Sequence, residues 1–129
     1  MAGISKGAAG EMLAARFLRD KGYTLLAGNY RCRWGEIDII VTDRKYIAFV
    51  EVKTRSEDAI YTPREAVTLE KRRKIIRTAS MFLKAHPQKN KQPRFDVVEV
   101  VTSKEDVLKA LEINHILNAY EAGDLYAAF

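Results

Sequence analysis

Between Gly35 and Thr54 the chain carries two apolar runs, Glu36 to Val41 and Tyr46 to Thr54, with only a short polar connection through Asp43-Arg44-Lys45 between them. β-Branched and aromatic residues dominate both runs: Ile37, Ile39, Ile40 and Val41 in the first, Ile47, Phe49, Val50 and Val52 in the second. Such runs around a tight connection predict an antiparallel hairpin, and one this apolar belongs inside a sheet rather than at its edge. Yet Glu36, Asp38, Glu51 and Lys53 interrupt it. A buried unpaired charge costs several kcal/mol or is neutralised, so stability does not account for these residues.

Strand parity decides which of them meet. Side chains alternate faces, so Glu36, Asp38 and Ile40 share one face of the first run, and Phe49, Glu51 and Lys53 one face of the second. If Arg44-Lys45 is a two-residue turn, Asp38 lies opposite Glu51 and Glu36 opposite Lys53. Opposed Cβ atoms lie about 4.5–5.5 Å apart, within reach of one divalent cation. Hard cations such as Mg²⁺ or Mn²⁺ favour oxygen ligands, here Asp38, Glu51 and the Val52 carbonyl, with water and phosphate oxygens completing the set. A cation there lowers the pKa of water and stabilises charge on a phosphate. Lys53 is placed to orient that water or to neutralise developing charge. Two carboxylates this close repel, so the pair is expected to bind metal or to hold a raised pKa. The competing interpretation is a cross-strand ion-pair network on a solvated sheet face.

The rest of the chain supplies a scaffold. A helix is expected from about Lys6 to Lys21, with Met12, Leu13, Phe17 and Leu18 on its apolar stripe and Gly22 stopping it. Tyr23 to Cys32 reads as a strand preceding the hairpin. A polar segment from Arg55 to Arg64 leads to a helix from Pro63 or Thr68 to Ala85, whose buried face is Leu69, Ile75, Ile76, Ala79, Phe82 and Leu83. Arg94 to Val101 is a further strand, and the tail from Ser103, with Leu108, Leu111, Ile116, Leu117 and Tyr120, reads as one or two short helices. The order helix, three strands, helix, strand, helix predicts an α/β fold with a single sheet and packed helices.

Composition narrows the partners. At 129 residues, 47% hydrophobic and 30% charged, the chain fits a single domain. The formal net charge of +5 suits a polyanionic partner. One cysteine, Cys32, excludes an intrachain disulfide and a cysteine-built zinc site. No run approaches the roughly 18 apolar residues of a membrane span, and no signal peptide is evident, so a soluble cytoplasmic protein without a membrane partner is expected. His86 and His115 lack metal-ligand spacing and read as a linker and a helix residue.

Around the hairpin, Arg31, Arg33, Arg55 and Arg64 flank the acidic pair, and Lys71-Arg72-Arg73-Lys74 with Arg77 follow on the second helix. A charged helix run is usually a solvated face. Beside a carboxylate pair, Arg31, Arg33, Arg55, Arg64, Lys71, Arg72 and Lys74 also suit phosphate-backbone contacts. Trp34 and Tyr61 either pack or stack on unpaired bases. Glu11 is favoured in the first helix by the helix dipole, though its neighbours Ala8, Ala9, Gly10, Ala14 and Ala15 allow a close approach to the sheet. Asp96 is read as structural, paired with Arg94.

Gly10-Glu11, Asn29-Tyr30-Arg31, Gly35-Glu36-Ile37-Asp38, Phe49 to Arg55, Pro63-Arg64-Glu65-Ala66-Val67, Lys71 and Arg94-Phe95-Asp96 resemble the bacterial YraN-like family. That family is similar to the restriction-endonuclease-like (PD-D/E-X-K) nuclease superfamily. The resemblance implies a central mixed β-sheet flanked by helices, with Asp38, Glu51 and Lys53 in catalytic positions. Glu11 then gains a catalytic role, as in junction resolvases of similar layout; Glu36, opposite Lys53 by parity, is expected in a supporting role. Ile37 stands where the superfamily's name has proline, and the loop at Ile60-Tyr61-Thr62-Pro63 lacks a glycine common before that proline. The activity implied is metal-dependent hydrolysis of DNA, branched or single-stranded, for which a homodimer would suit a junction. The alternative is a nucleic-acid-binding module that keeps the fold without turnover.

Overall fold

The computed structural model describes residues 3–59 and 67–123. They form helix α1 (Lys6–Asp20), strands β1 (Thr24–Cys32), β2 (Gly35–Thr42) and β3 (Tyr46–Ser56), helix α2 (Leu69–Ala85), and strands β4 (Gln92–Thr102) and β5 (Ala110–Tyr120). The strands make one sheet in the order β1-β2-β3-β4-β5. Only β3 and β4 run parallel; the other neighbours are antiparallel. This is the expected α/β architecture, a single mixed sheet with helices on it. Parallel strands need a crossover, and α2 lies within it. Among the described residues no helix is long and apolar enough to cross a membrane.

Each sheet face buries its own core. Ile47, Phe49, Phe95 and Val97 pack with Ile75, Ile76, Ala79 and Phe82 of α2. Ala48, Val50, Val98 and Val100 pack with Ala14 and Leu18 of α1. The two sets alternate along β3 and β4, so both strands are covered on both faces and read as continuous apolar runs. Ser5 and Thr68 cap the helices, accepting from the Ala8 and Lys71 amides. Leu69 is not on the buried face of α2: it is exposed at the first helical position, and Val67 just before the cap is buried instead.

The tail corrects a second expectation. Ala110–Tyr120 is a strand, not helix, and the hairpin from β4 closes with the Ser103 amide donating to the Lys109 carbonyl. Leu108, Leu111 and Leu117, whose spacing suggested a helix, are exposed, whereas Ile113 and Ile116 pack inward. Without β5 the apolar strand β4 would keep an unpaired backbone edge, and satisfying that edge outweighs a weak helical pattern. His115 is consequently a strand residue.

Candidate active site

The β2–β3 hairpin has the register that a two-residue Arg44-Lys45 turn requires. Ile39 pairs with Val50, Ile40 with Phe49, Val41 with Ala48 and Thr42 with Ile47, and the Asp43 amide closes the turn onto the Tyr46 carbonyl at 3.0 Å. Backbone pairing ends at Ile39–Val50. Beyond it the Asp38 carboxylate replaces the ladder, its Oδ2 accepting from the Val52 amide at 2.8 Å.

Regular alternation does not run through Asp38. Ile37 packs into the core under α2 and Ile39 into the core under α1, although residues two apart share a face in an undisturbed strand. On the opposing strand Asn29, which lies between the Gly28–Ile39 and Tyr30–Ile37 pairs, has a φ of +51°. Asparagine tolerates this left-handed conformation better than most residues. Asp38 therefore reaches Glu51 through a local irregularity rather than through simple parity.

Asp38 and Glu51 share a side-chain hydrogen bond, and the Asp38 carboxyl is pushed up to about 7. Burial is the largest cause, followed by the charge of Glu51; the Val52 amide opposes both, and Glu11 adds a smaller upward push. Glu51 is nearly buried and meets two ammonium groups at Oε1, Lys53 Nζ at 3.4 Å and Lys71 Nζ in closer contact. Burial lowers the Lys71 pKa, but its hydrogen bond to Glu51 outweighs this and the net shift is upward.

Glu11 approaches because α1 crosses the sheet with almost no clearance. A Cβ on Gly10 would lie 1.8 Å from Thr54 Oγ1, so only glycine allows this contact. Among the described residues no three His, Cys, Asp or Glu side chains stand close enough together to hold an ion. Glu11 thus acts on Asp38 through its field, and the donor set fits a hard cation held by two carboxylates with water and substrate oxygens, not an all-protein cage.

The remaining site candidates disperse. Glu36 is not opposite Lys53; it makes an exposed pair with Arg31 at 2.7 Å. Arg33 lies over the Trp34 ring, as does Arg77. Arg55 is tied to Glu99 at 2.6 Å and Lys74 to Glu70 at 3.6 Å. Lys71 and Arg72 turn inward, Arg72 donating to the Val67 carbonyl and lying over Tyr120, so the basic run is not a uniformly solvated face. Arg64, Pro63 and Tyr61 lie outside the described residues. Lys71 as partner of Glu51 went unforeseen, as did Tyr120, whose hydroxyl pKa is raised by burial and then by Glu51. The Thr68 cap at least marked the turn carrying Lys71, whereas nothing in a tail read as helix pointed to Tyr120.

Away from the site, Asp96 is structural as expected. Arg94 binds it through Nε and Nη2, the Asn118 amide donates at 2.9 Å, and His115 Nε2 lies at 2.7 Å. Lys21 Nζ stands 2.8 Å from His115 Nδ1, joining the end of α1 to this buried cluster.

The profile of "Uncharacterised protein family UPF0102" matches residues 10–100, a span that includes Glu11, Asp38, Glu51, Lys53, Lys71 and Asp96. A UPF0102 protein of Nocardia farcinica is 53% identical over 95 residues, covering 74% of this chain and 75% of its own. UPF0102 proteins of Caldanaerobacter subterraneus and Chlorobium phaeobacteroides are each 43% identical, over 114 and 116 residues, covering 88% of this chain and 93% and 92% of theirs. With a profile match over most of its length and relatives this similar, the chain belongs to the UPF0102 family.

Proposed function

We propose that this protein is a cytoplasmic, metal-dependent nuclease that hydrolyses DNA phosphodiester bonds. The observation that carries the reading is the contact between Asp38 and Glu51 where β2 and β3 part, in an otherwise apolar hairpin. An ion-pair network built for stability would place a cation between the carboxyls. Here, among the described residues, both ammonium groups go to Glu51, while Asp38 rests on a backbone amide and on Glu51 itself.

Asp38 and Glu51 would hold Mg²⁺ or Mn²⁺. The Val52 carbonyl leaves β3 on the same edge as the amide bonded to Asp38, so it is the third protein oxygen available. The cation supplies charge stabilisation on the scissile phosphate and eases deprotonation of the attacking water. Lys53, one strand-step of two from Glu51, carries an ammonium that neutralises charge developing on the phosphate and orients the water. Glu11 adds negative potential from α1, which strengthens cation binding. Arg31, Arg33 and Lys74 sit in exposed pairs or stacks that cost little to exchange for phosphates. A pair of copies would suit a branched substrate.

The test is cleavage of duplex, single-stranded and junction DNA with Mg²⁺ or Mn²⁺. Asp38→Asn and Lys53→Ala are each expected to lower the rate by roughly 100-fold or more. Rates unchanged in both variants would exclude this site. Salt-dependent DNA binding without cleavage of any substrate would leave the non-catalytic binding module.

A further inference from the structure

We propose that Lys71 is a tethered counter-ion: it holds Glu51 in the resting protein and must release it before a divalent cation can bind. The inference rests on the metal-site reading of Asp38 and Glu51. Two ammonium groups converge on one oxygen, Oε1 of Glu51, and they differ in freedom. Lys53 extends from β3 itself, two residues from Glu51, and its side chain is 20% exposed. Lys71 comes from the first turn of α2 and its side chain is 41% exposed, about twice the exposure of Lys53. The Lys71 amide is fixed on Thr68 Oγ1, so the side chain can move while the helix stays.

Charge balance selects Lys71 as the group that moves. Glu11, Asp38 and Glu51 carry three formal negative charges against two on the lysines, so the resting site keeps a formal charge of −1 and has room for some added positive charge but not for a dication beside both ammonium groups. A dication added to both ammonium groups leaves like charges a few ångströms apart, and the lysine nearer solvent relieves the repulsion at the smaller cost. A phosphodiester brings back one negative charge and gives the displaced ammonium a destination. Lys71 thereby links cation and substrate binding, each favouring the other. It also prevents the two carboxylates from facing each other uncompensated when no cation is present.

Isothermal titration of the full chain with Mn²⁺ tests this. Lys71→Gln is expected to bind Mn²⁺ about tenfold more tightly than wild type, because a competing charge has gone. Lys71→Arg, which keeps the charge, should not show this gain, and Asp38→Asn should lose binding. Melting curves give a second readout: the same Mn²⁺ concentration should raise Tm more in Lys71→Gln than in wild type. Equal or weaker binding by Lys71→Gln, with wild-type binding still dependent on Asp38, overturns the Lys71 inference alone. So does an arginine variant that gains as much as the glutamine variant. No Mn²⁺ binding by wild type or Lys71→Gln overturns both this inference and the metal-site reading beneath it.

Discussion

Asp38→Asn should make the metal-free protein more stable at pH 8 while abolishing the proposed activity. Burial, then Glu51, then Glu11 raise the Asp38 carboxyl from an ordinary 3.8 to about 7, against the pull of the Val52 amide. Each pKa unit corresponds to about 1.4 kcal/mol, so an ionised Asp38 costs the folded state about 4 kcal/mol once the pH exceeds both values. The folded protein holds this proton more tightly than the unfolded chain does. The contribution of Asp38 is therefore most favourable below the unfolded value and is lost as the pH rises from about 4 through about 7. Asparagine is neutral throughout and keeps an acceptor for the Val52 amide. Its gain should be about 1–2 kcal/mol at pH 5, rising to about 3–4 kcal/mol at pH 8, with Tm moving by roughly 4 °C per kcal/mol in a chain of this size.

Circular-dichroism melts in EDTA at the two pH values measure both the gain and its pH dependence. A Tm for Asp38→Asn at or below wild type at pH 8, or a gain as large at pH 5, would refute the reasoning. Saturating Mn²⁺ should narrow or reverse the order, since on this account only the wild type holds a dication well.

Two further outcomes test the scaffold. Gly10→Ala forces a methyl against Thr54 Oγ1 and should cost about 1–3 kcal/mol by urea denaturation; adding Thr54→Ala should restore part of this, and no recovery would argue against the close crossing. Asp96→Ala leaves Arg94 buried without its carboxylate and should cost about 3–5 kcal/mol. Burial alone would raise the Asp96 pKa, but hydrogen bonds from His115 and Arg94 outweigh it and hold the carboxyl below its ordinary value. Its contribution is then present above the unfolded value and is lost as the pH falls through the folded one, so denaturation at pH 7 and in acid should show a wild-type decline that Asp96→Ala lacks.

How much of this was legible in the sequence depended on the distance over which each feature is decided. The β2–β3 register followed from a two-residue turn, and turns are local. The neighbourhood of Asp38, Glu51 and Lys53 was legible for the same reason. Parity gave the right neighbour for Asp38 by an incomplete route, because Ile37 and Ile39 on either side of it turn to opposite faces of the sheet. The tail's Leu108, Leu111, Ile116, Leu117 and Tyr120 mimic a helix, whereas the partner edge that makes β5 a strand is supplied by β4. Glu36 pairs with Arg31 on β1 instead of facing Lys53, because β2–β3 pairing stops at Ile39–Val50 and no residue near it signals that stop. The inward turn of Lys71 depends on where α2 crosses the sheet, which no local pattern encodes.

These long-range features together explain why acidic groups can gather here at all. In a continued ladder, positions 38 and 51 would be occupied by backbone pairing with side chains directed into a packed core. Instead the strands part at Ile39–Val50, and Asp38 spends its own carboxylate on the Val52 amide that the ladder abandons. That bond favours the ionised form, yet burial and Glu51 outweigh it, so the site keeps an unmet demand for positive charge. Glycine at position 10 brings Glu11 near and increases the demand, while α2 supplies a lysine that meets only part of it. A network built for stability would be expected to settle this imbalance with a fixed cation. Leaving the balance to a half-exposed ammonium is what the proposed nuclease would require, a site that opens to a cation and a phosphate and closes again on Lys71 when both have gone.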